Sequence, residues 1–151
     1  MANLFVALGL FAFSYSDSQP AKTEIPSEFH GVWTVISALD DGTEMPMPAN
    51  PGVSLSAGEC NFSEIIVCKS RVIIVQNDGS AIVAKTRVLT SMPQTKIEMV
   101  APRAHDKQQE PSFAILGSIN TKKIQFAFCP KESKIVNNKK GGKQVVITAT
   151  R

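Results

Sequence analysis

Few side chains of this 151-residue chain could do chemistry: Cys60, Cys68 and Cys129, His30 and His105, and a lysine-rich run near the end. A thiol beside an imidazole is the minimal pair for nucleophilic catalysis, because the imidazole can take the thiol proton; Cys129 and His105 are the candidates. Two thiols in an oxidising compartment can instead close a disulfide, and an odd number leaves at least one unpaired. Imidazoles also bind metals, but a zinc site needs three or four ligands. Between residues 130 and 143, Lys131, Lys134, Lys139, Lys140 and Lys143 stand against the single Glu132, which could meet a phosphate, a sulfate or a membrane surface. There is no Gly-x-Ser-x-Gly, no His-Glu-x-x-His and no glycine-rich phosphate loop.

The elements that must position these groups follow from composition and pattern. Apolar residues make up 43% and charged residues 19%, which excludes disordered, collagen-like and coiled-coil chains and fits one domain. A net charge of +3 is too mild to argue for nucleic acid. Residues 4–13 hold no polar side chain and small residues follow at Ser14 and Ser16. That stretch matches the hydrophobic segment of a signal peptide and is too short to span a bilayer. The expected organisation is a signal peptide over 1–16, a polar tether over 17–28 and a folded domain over 29–151, exported to a periplasm or secreted. No stable membrane insertion is expected once the signal is cleaved.

Within the domain, apolar and polar residues alternate with period two, and helical periodicity is nearly absent. Eight strands are predicted, over 31–39, 62–68, 71–76, 80–89, 96–101, 113–119, 123–129 and 144–151. In the seventh, Ile124, Phe126 and Phe128 share one face; in the fifth, Ile97 and Met99 do; in the sixth, Phe113, Ile115, Gly117 and Ile119; in the eighth, Val145, Ile147, Ala149 and Arg151. Asn77-Asp78-Gly79 between two β-branched runs is a hairpin signal, since these residues tolerate positive φ. The connections are 22, 2, 3, 6, 11, 3 and 14 residues long in chain order. In an up-and-down sheet alternate connections lie at one end, so the three long ones (40–61, 102–112 and 130–143) share an end and form a mouth. The short ones form a floor. Eight strands suffice to close an antiparallel barrel and remove its edges.

Three stretches resemble lipocalins and related calycin barrels, and most closely a set of short, exported, lipocalin-like bacterial domains of unassigned function. Phe29-His30-Gly31-Val32-Trp33-Thr34-Val35 carries their opening Gly-x-Trp. Ile119-Asn120-Thr121-Lys122-Lys123-Ile124-Gln125-Phe126-Ala127-Phe128-Cys129-Pro130 is similar to their penultimate strand, and Val145-Val146-Ile147-Thr148-Ala149-Thr150-Arg151 to their closing one. The resemblance implies that Trp33 is packed by an Arg near the chain end, at the closed end of the barrel. Arg151 has the parity and the position to be that Arg, in a cation–π contact.

On this frame the chemistry thins out. Cys60 and Cys68 bracket one strand and stand roughly 26 Å apart at about 3.3 Å per residue, too far to bridge. If a disulfide forms, Cys60–Cys129 at the mouth is the geometric choice, with Cys68 a buried thiol; otherwise all three thiols are free. Arg103, His105 and Lys107 fall in the middle mouth loop, while His30 belongs to the floor, so no metal site assembles and none is expected. Nothing orients a Cys129–His105 pair, and the expectation is not an enzyme, without a cofactor. The mouth lysines Lys131, Lys139 and Lys140 are answered by Asp40, Asp41, Glu44 and Glu59 in the first mouth loop. The basic loop lacks the aromatic residues that would stack bases, so no nucleic-acid partner is expected. The main expectation is a binding module for a small apolar or amphipathic ligand, with Phe113, Ile115, Phe126, Phe128, Ile97 and Met99 as cavity wall. The alternative is a packed barrel that docks another protein through its mouth loops, notably Met45-Pro46-Met47-Pro48, as an interaction or inhibitor-type module.

Overall fold

The computed structural model describes residues 24–49, 58–91, 94–101, 111–129 and 144–151. Nine strands follow a single 3-10 turn at Ser27–Phe29. They are β1 Gly31–Asp40, β2 Thr43–Met45, β3 Phe62–Val67, β4 Arg71–Gln76, β5 Ala81–Thr90, β6 Thr95–Val100, β7 Ser112–Asn120, β8 Lys123–Cys129 and β9 Val145–Thr150. Each pairs antiparallel with its neighbour, and β1 pairs with β9, so eight strands close an up-and-down barrel with the short β2 appended. The fold class read from the sequence is the one observed, and each expected strand lies within a residue of its position.

Closure depends on β1. Its first half pairs with β3 (Trp33 opposite Ile65), and its other edge pairs with β9 from Thr34–Thr150 to Asp40–Val145. A bulge between Val35 and Ser37 inserts one residue and shifts the alternation, so the inward residues are Trp33, Val35 and then Ala38. A bulge bends a strand and increases its twist, as closure requires. Where β3 leaves that edge, β2 takes it over, with Ala38 opposite Met45. The two-residue link has Asp41 at φ 49° and Gly42 at φ 81°, the positive pair that a tight hairpin turn demands. Asp-Gly is a hairpin signal in its own right, but the expected 22-residue loop absorbed it.

The core is the barrel lumen. Ile65 and Val67, Val72, Ala84 and Val88, Ile97 and Met99, Phe126, Ile147 and Ala149 all point into it. On β7 the inward residues are Ala114 and Leu116, which corrects the expected face. In an antiparallel ladder, directly opposite residues share a face. Ala114 lies opposite Ile97 and Leu116 opposite Phe126, both interior. Phe113 and Ile115 therefore lie on the outer wall, in a small cluster with Ala127, Cys129 and Val146, and Ile119 is half exposed.

The floor is closed by chain from both ends. Ile25 and Phe29 are buried in the core cluster, and the Ile25 amide donates to Lys69 O at 2.7 Å. The expected polar tether over 17–28 thus ends before Ile25: burial of that side chain draws 24–30 onto the barrel as a plug. The Trp33 indole Nε1 donates to Phe29 O at 2.8 Å, and His30 Nε2 lies 2.8 Å from Ile25 O. The Arg151 guanidinium lies 4.4 Å from the Trp33 ring centroid and donates to Glu28 O (3.1 Å) and His30 O (3.4 Å). Gly31 has φ 135°, and a Cβ there would stand 3.8 Å from Arg151 Nη1, so the Gly of Gly-x-Trp is required by backbone conformation. Trimming Arg151 removes a cation–π contact of about 0.5–2 kcal/mol and both plug bonds. The melting temperature should fall by several degrees, and an unchanged melt would mean that the guanidinium contributes nothing.

Candidate functional site: the mouth cavity

Alternation carried to the mouth end of each strand gives a ring. A cavity of 480 Å³ is lined by Asp40 of β1, Phe62 of β3, Ile74 of β4, Ile82 of β5, Met99 of β6, Ser112 of β7, Phe128 and Cys129 of β8, and Val145 of β9. Each of the eight barrel strands contributes to it. The register joins neighbours in the ring: Ile74 is opposite Ile82, Met99 opposite Ser112, and Val145 opposite both Phe128 and Asp40. Phe128 stacks on Phe126 at 5.8 Å and 10°, and Phe126 is fully buried, so this pair carries the wall down into the filled lumen. Ile82 is on the inner parity of β5, two residues from buried Ala84, yet 39% exposed. Among the described residues the lumen is packed below this ring.

One side of the mouth is fixed by polar contacts. The Cys60 amide donates to Pro46 O at 2.9 Å. Buried Asn77 donates from Nδ2 to Cys60 O at 2.7 Å and from its backbone to Asn61 O at 3.1 Å. Met45 and Met47 pack against the core.

Of the residues expected to form a cavity wall, Met99 and Phe128 line the cavity, Phe126 and Ile97 are buried in the lumen, and Phe113 and Ile115 are outside it. Arg103, His105, Lys131, Lys139 and Lys140 lie outside the described residues, and with them the Cys129–His105 pair. Trp33 and Arg151 meet at the floor. The three cysteines are free thiols: Cys60 and Cys129 are buried and Cys68 is exposed. The possible Cys60–Cys129 bridge is therefore absent and the alternative of three free thiols is the one observed, although Cys68 is exposed rather than buried. The physical reason is again the sheet face. Cys60 packs with the lumen residues, whereas Cys129 packs with Ile115 and Ala127 on the outer wall. Burial pushes the Cys60 thiol above its ordinary range, which makes it a poor nucleophile. Among the described residues no group of three or more His, Cys, Asp or Glu is placed to hold a metal.

The chain matches no family model, no curated protein and no solved structure.

What the arrangement can do chemically is enclose apolar surface. Six of the lining residues are Phe, Ile, Met or Val, and the polar side chains are Asp40 and Ser112. Sequence reasoning missed Asp40, Phe62, Ile74, Ile82, Ser112 and Val145 as a set. The sequence pattern ends the first strand at Leu39, whereas β1 runs one residue further and carries Asp40 to the rim. A signal was there: the last inward position of each strand at the long-loop end defines such a ring.

Proposed function

We propose that the chain is an exported, lipocalin-like binding module that takes a small apolar or amphipathic ligand in the mouth of its barrel. The observation that carries this reading is the 480 Å³ cavity ringed by Phe62, Ile74, Ile82, Met99, Phe128 and Val145. Its volume falls in the range of about 300–1,000 Å³ typical of small-molecule sites. A barrel of eight strands can fill with side chains or hold one small ligand, and here only the lower lumen is filled. The opening Gly-x-Trp motif and the Trp33–Arg151 stack at the floor support a lipocalin-like origin, and the apolar stretch over 4–13 supports export. Binding rather than catalysis suits a wall whose polar side chains are one hydroxyl and one carboxylate, the Cys129 thiol lying on the outer face. The alternative, docking of a protein through Met45-Pro46-Met47-Pro48, is weakened because both methionines already pack on the core.

The test is binding of a neutral solvatochromic dye, Nile red, by the purified protein, with native mass spectrometry for co-purified lipid. Ile82→Trp puts a larger side chain into the void from a position already 39% exposed. It is expected to weaken dye binding at least tenfold while the melting temperature stays within a few degrees. A wild-type protein that binds neither dye nor lipid, or an Ile82→Trp variant that binds as well as wild type, would overturn the reading.

A further inference from the structure

We infer that the mouth cavity selects amphiphiles with a cationic, hydrogen-bond-donating head, such as long-chain primary amines, over those with a carboxylate head; this rests on the binding reading above. Asp40 is the last residue of β1, and the Val35/Ser37 bulge sets where it points. Past the bulge, Ala38 lies opposite buried Ile147 and Asp40 opposite Val145, so Asp40 continues the inward parity. Without the inserted residue, Leu39 would occupy that face and the carboxylate would point to bulk water. The Asp40 backbone is held on both edges, by Thr43 of β2 and by Val145 of β9.

Among the described lining residues Asp40 carries the only charged side chain, and neither ion pair among the described residues, Lys69–Glu24 or Arg87–Glu98, engages it. The second polar side chain of the ring, Ser112, directs its Oγ hydroxyl toward Met99 O at 3.5 Å, which leaves the hydroxyl oxygen as an acceptor. Both polar groups of the ring therefore ask for a donor. The described residues of the mouth connections, 40–49, 58–61 and 77–80, carry Asp40, Asp41, Glu44, Glu59 and Asp78 and no Lys or Arg. A carboxylate head beside Asp40 would meet like charge at the edge of an apolar wall, where the effective dielectric is well below that of water. An ammonium head gains an opposite charge and donates hydrogen bonds with its alkyl chain against Phe62, Ile82 and Phe128.

The experiment is Nile red displacement by dodecylamine, dodecanol and dodecanoate, all below micelle-forming concentration, on wild type and Asp40→Asn. In wild type the amine is expected to bind about tenfold more tightly than the alcohol, and the carboxylate more weakly than either. In Asp40→Asn the amine should fall to the level of the alcohol while the alcohol is unchanged. Added salt at 0.5 M should narrow the wild-type preference, because an exposed charge pair is screened. If all three displace the dye equally, or if the carboxylate is tightest, the head-group inference fails and the binding reading stands. A tightest carboxylate would assign the head group to the lysines of 131–143 instead. If the dye binds to neither protein, both fail together.

Discussion

Trp33→Ala is expected to be the most damaging single substitution in the barrel, costing about 3–5 kcal/mol, the range for removing a large aromatic side chain from a core. Trp33 is fully buried and heads the largest side chains in the interior. Its removal does more than leave a void. The Phe29 carbonyl loses the indole donor at 2.8 Å, and the Arg151 guanidinium loses the ring it lies on at 4.4 Å, so plug and closing strand loosen together. With total stabilities of about 5–15 kcal/mol and roughly 4 °C per kcal/mol for a domain of this size, the melting temperature should fall by on the order of 10–20 °C. Trp33→Phe retains most of the volume and a π face but not the N–H donor, and should cost markedly less. A Trp33→Ala variant that melts within about 4 °C of wild type would show that the floor is not a stability determinant.

The second large effect concerns where the folded unit starts. A chain beginning at residue 30 should be far less stable than one beginning at residue 24, because Ile25 is 2% and Phe29 5% exposed. At about 1.5–3 kcal/mol for each fully buried large apolar side chain, losing both removes roughly 3–6 kcal/mol. It also uncovers Trp33 and leaves Lys69 O without the Ile25 amide. Ile25→Asp in the longer chain separates burial from length, since it keeps the backbone and places a charge where no described cation is paired to receive it. Thermal melts and urea midpoints of the three chains decide the matter. Equal stability for starts at 24 and 30 would make residues 24–29 the simple tether that their polarity suggests.

That polarity explains why the plug was illegible. Ser27, Glu28 and the prolines around them read as linker, and a single Ile in a polar stretch carries no period. What could be read was a clean local pattern: β8 begins and ends where alternation begins and ends, and β4 is a β-branched run bounded by Arg71 and Gln76. The lipocalin-like opening also pointed correctly to the Trp33–Arg151 contact, because both residues lie on simple parity from their strand starts. Parity failed where a second rule intervened. On β7 bulk favours Phe113 and Ile115 as interior, yet the ladder to Ile97 and Phe126 puts Ala114 and Leu116 inside. Small Ala114 lies directly opposite Phe128 on the neighbouring strand, beside the Phe126–Phe128 stack. On β1 a bulge invisible to pattern moved Asp40 inward. Both misreadings concern the mouth, so the expected wall shared only Met99 and Phe128 with the cavity that exists. The possible Cys60–Cys129 bridge is absent for the same reason, since two cysteines near one rim can still pack on opposite sides of the barrel wall.

The pairing of β1 with β9 also sets the order of events in folding. The bond from Arg151 to Glu28 O spans 123 residues, and the seam it seals joins β1 to β9, the first and last of the described strands. During synthesis every other hairpin can zip as it emerges, but the outer edges of β1 and β8 stay unsatisfied until β9 arrives. Rings closed by such distant partners fold slowly, in roughly milliseconds to seconds. A nascent chain therefore presents open, sticky edges for as long as residues 145–151 remain unmade.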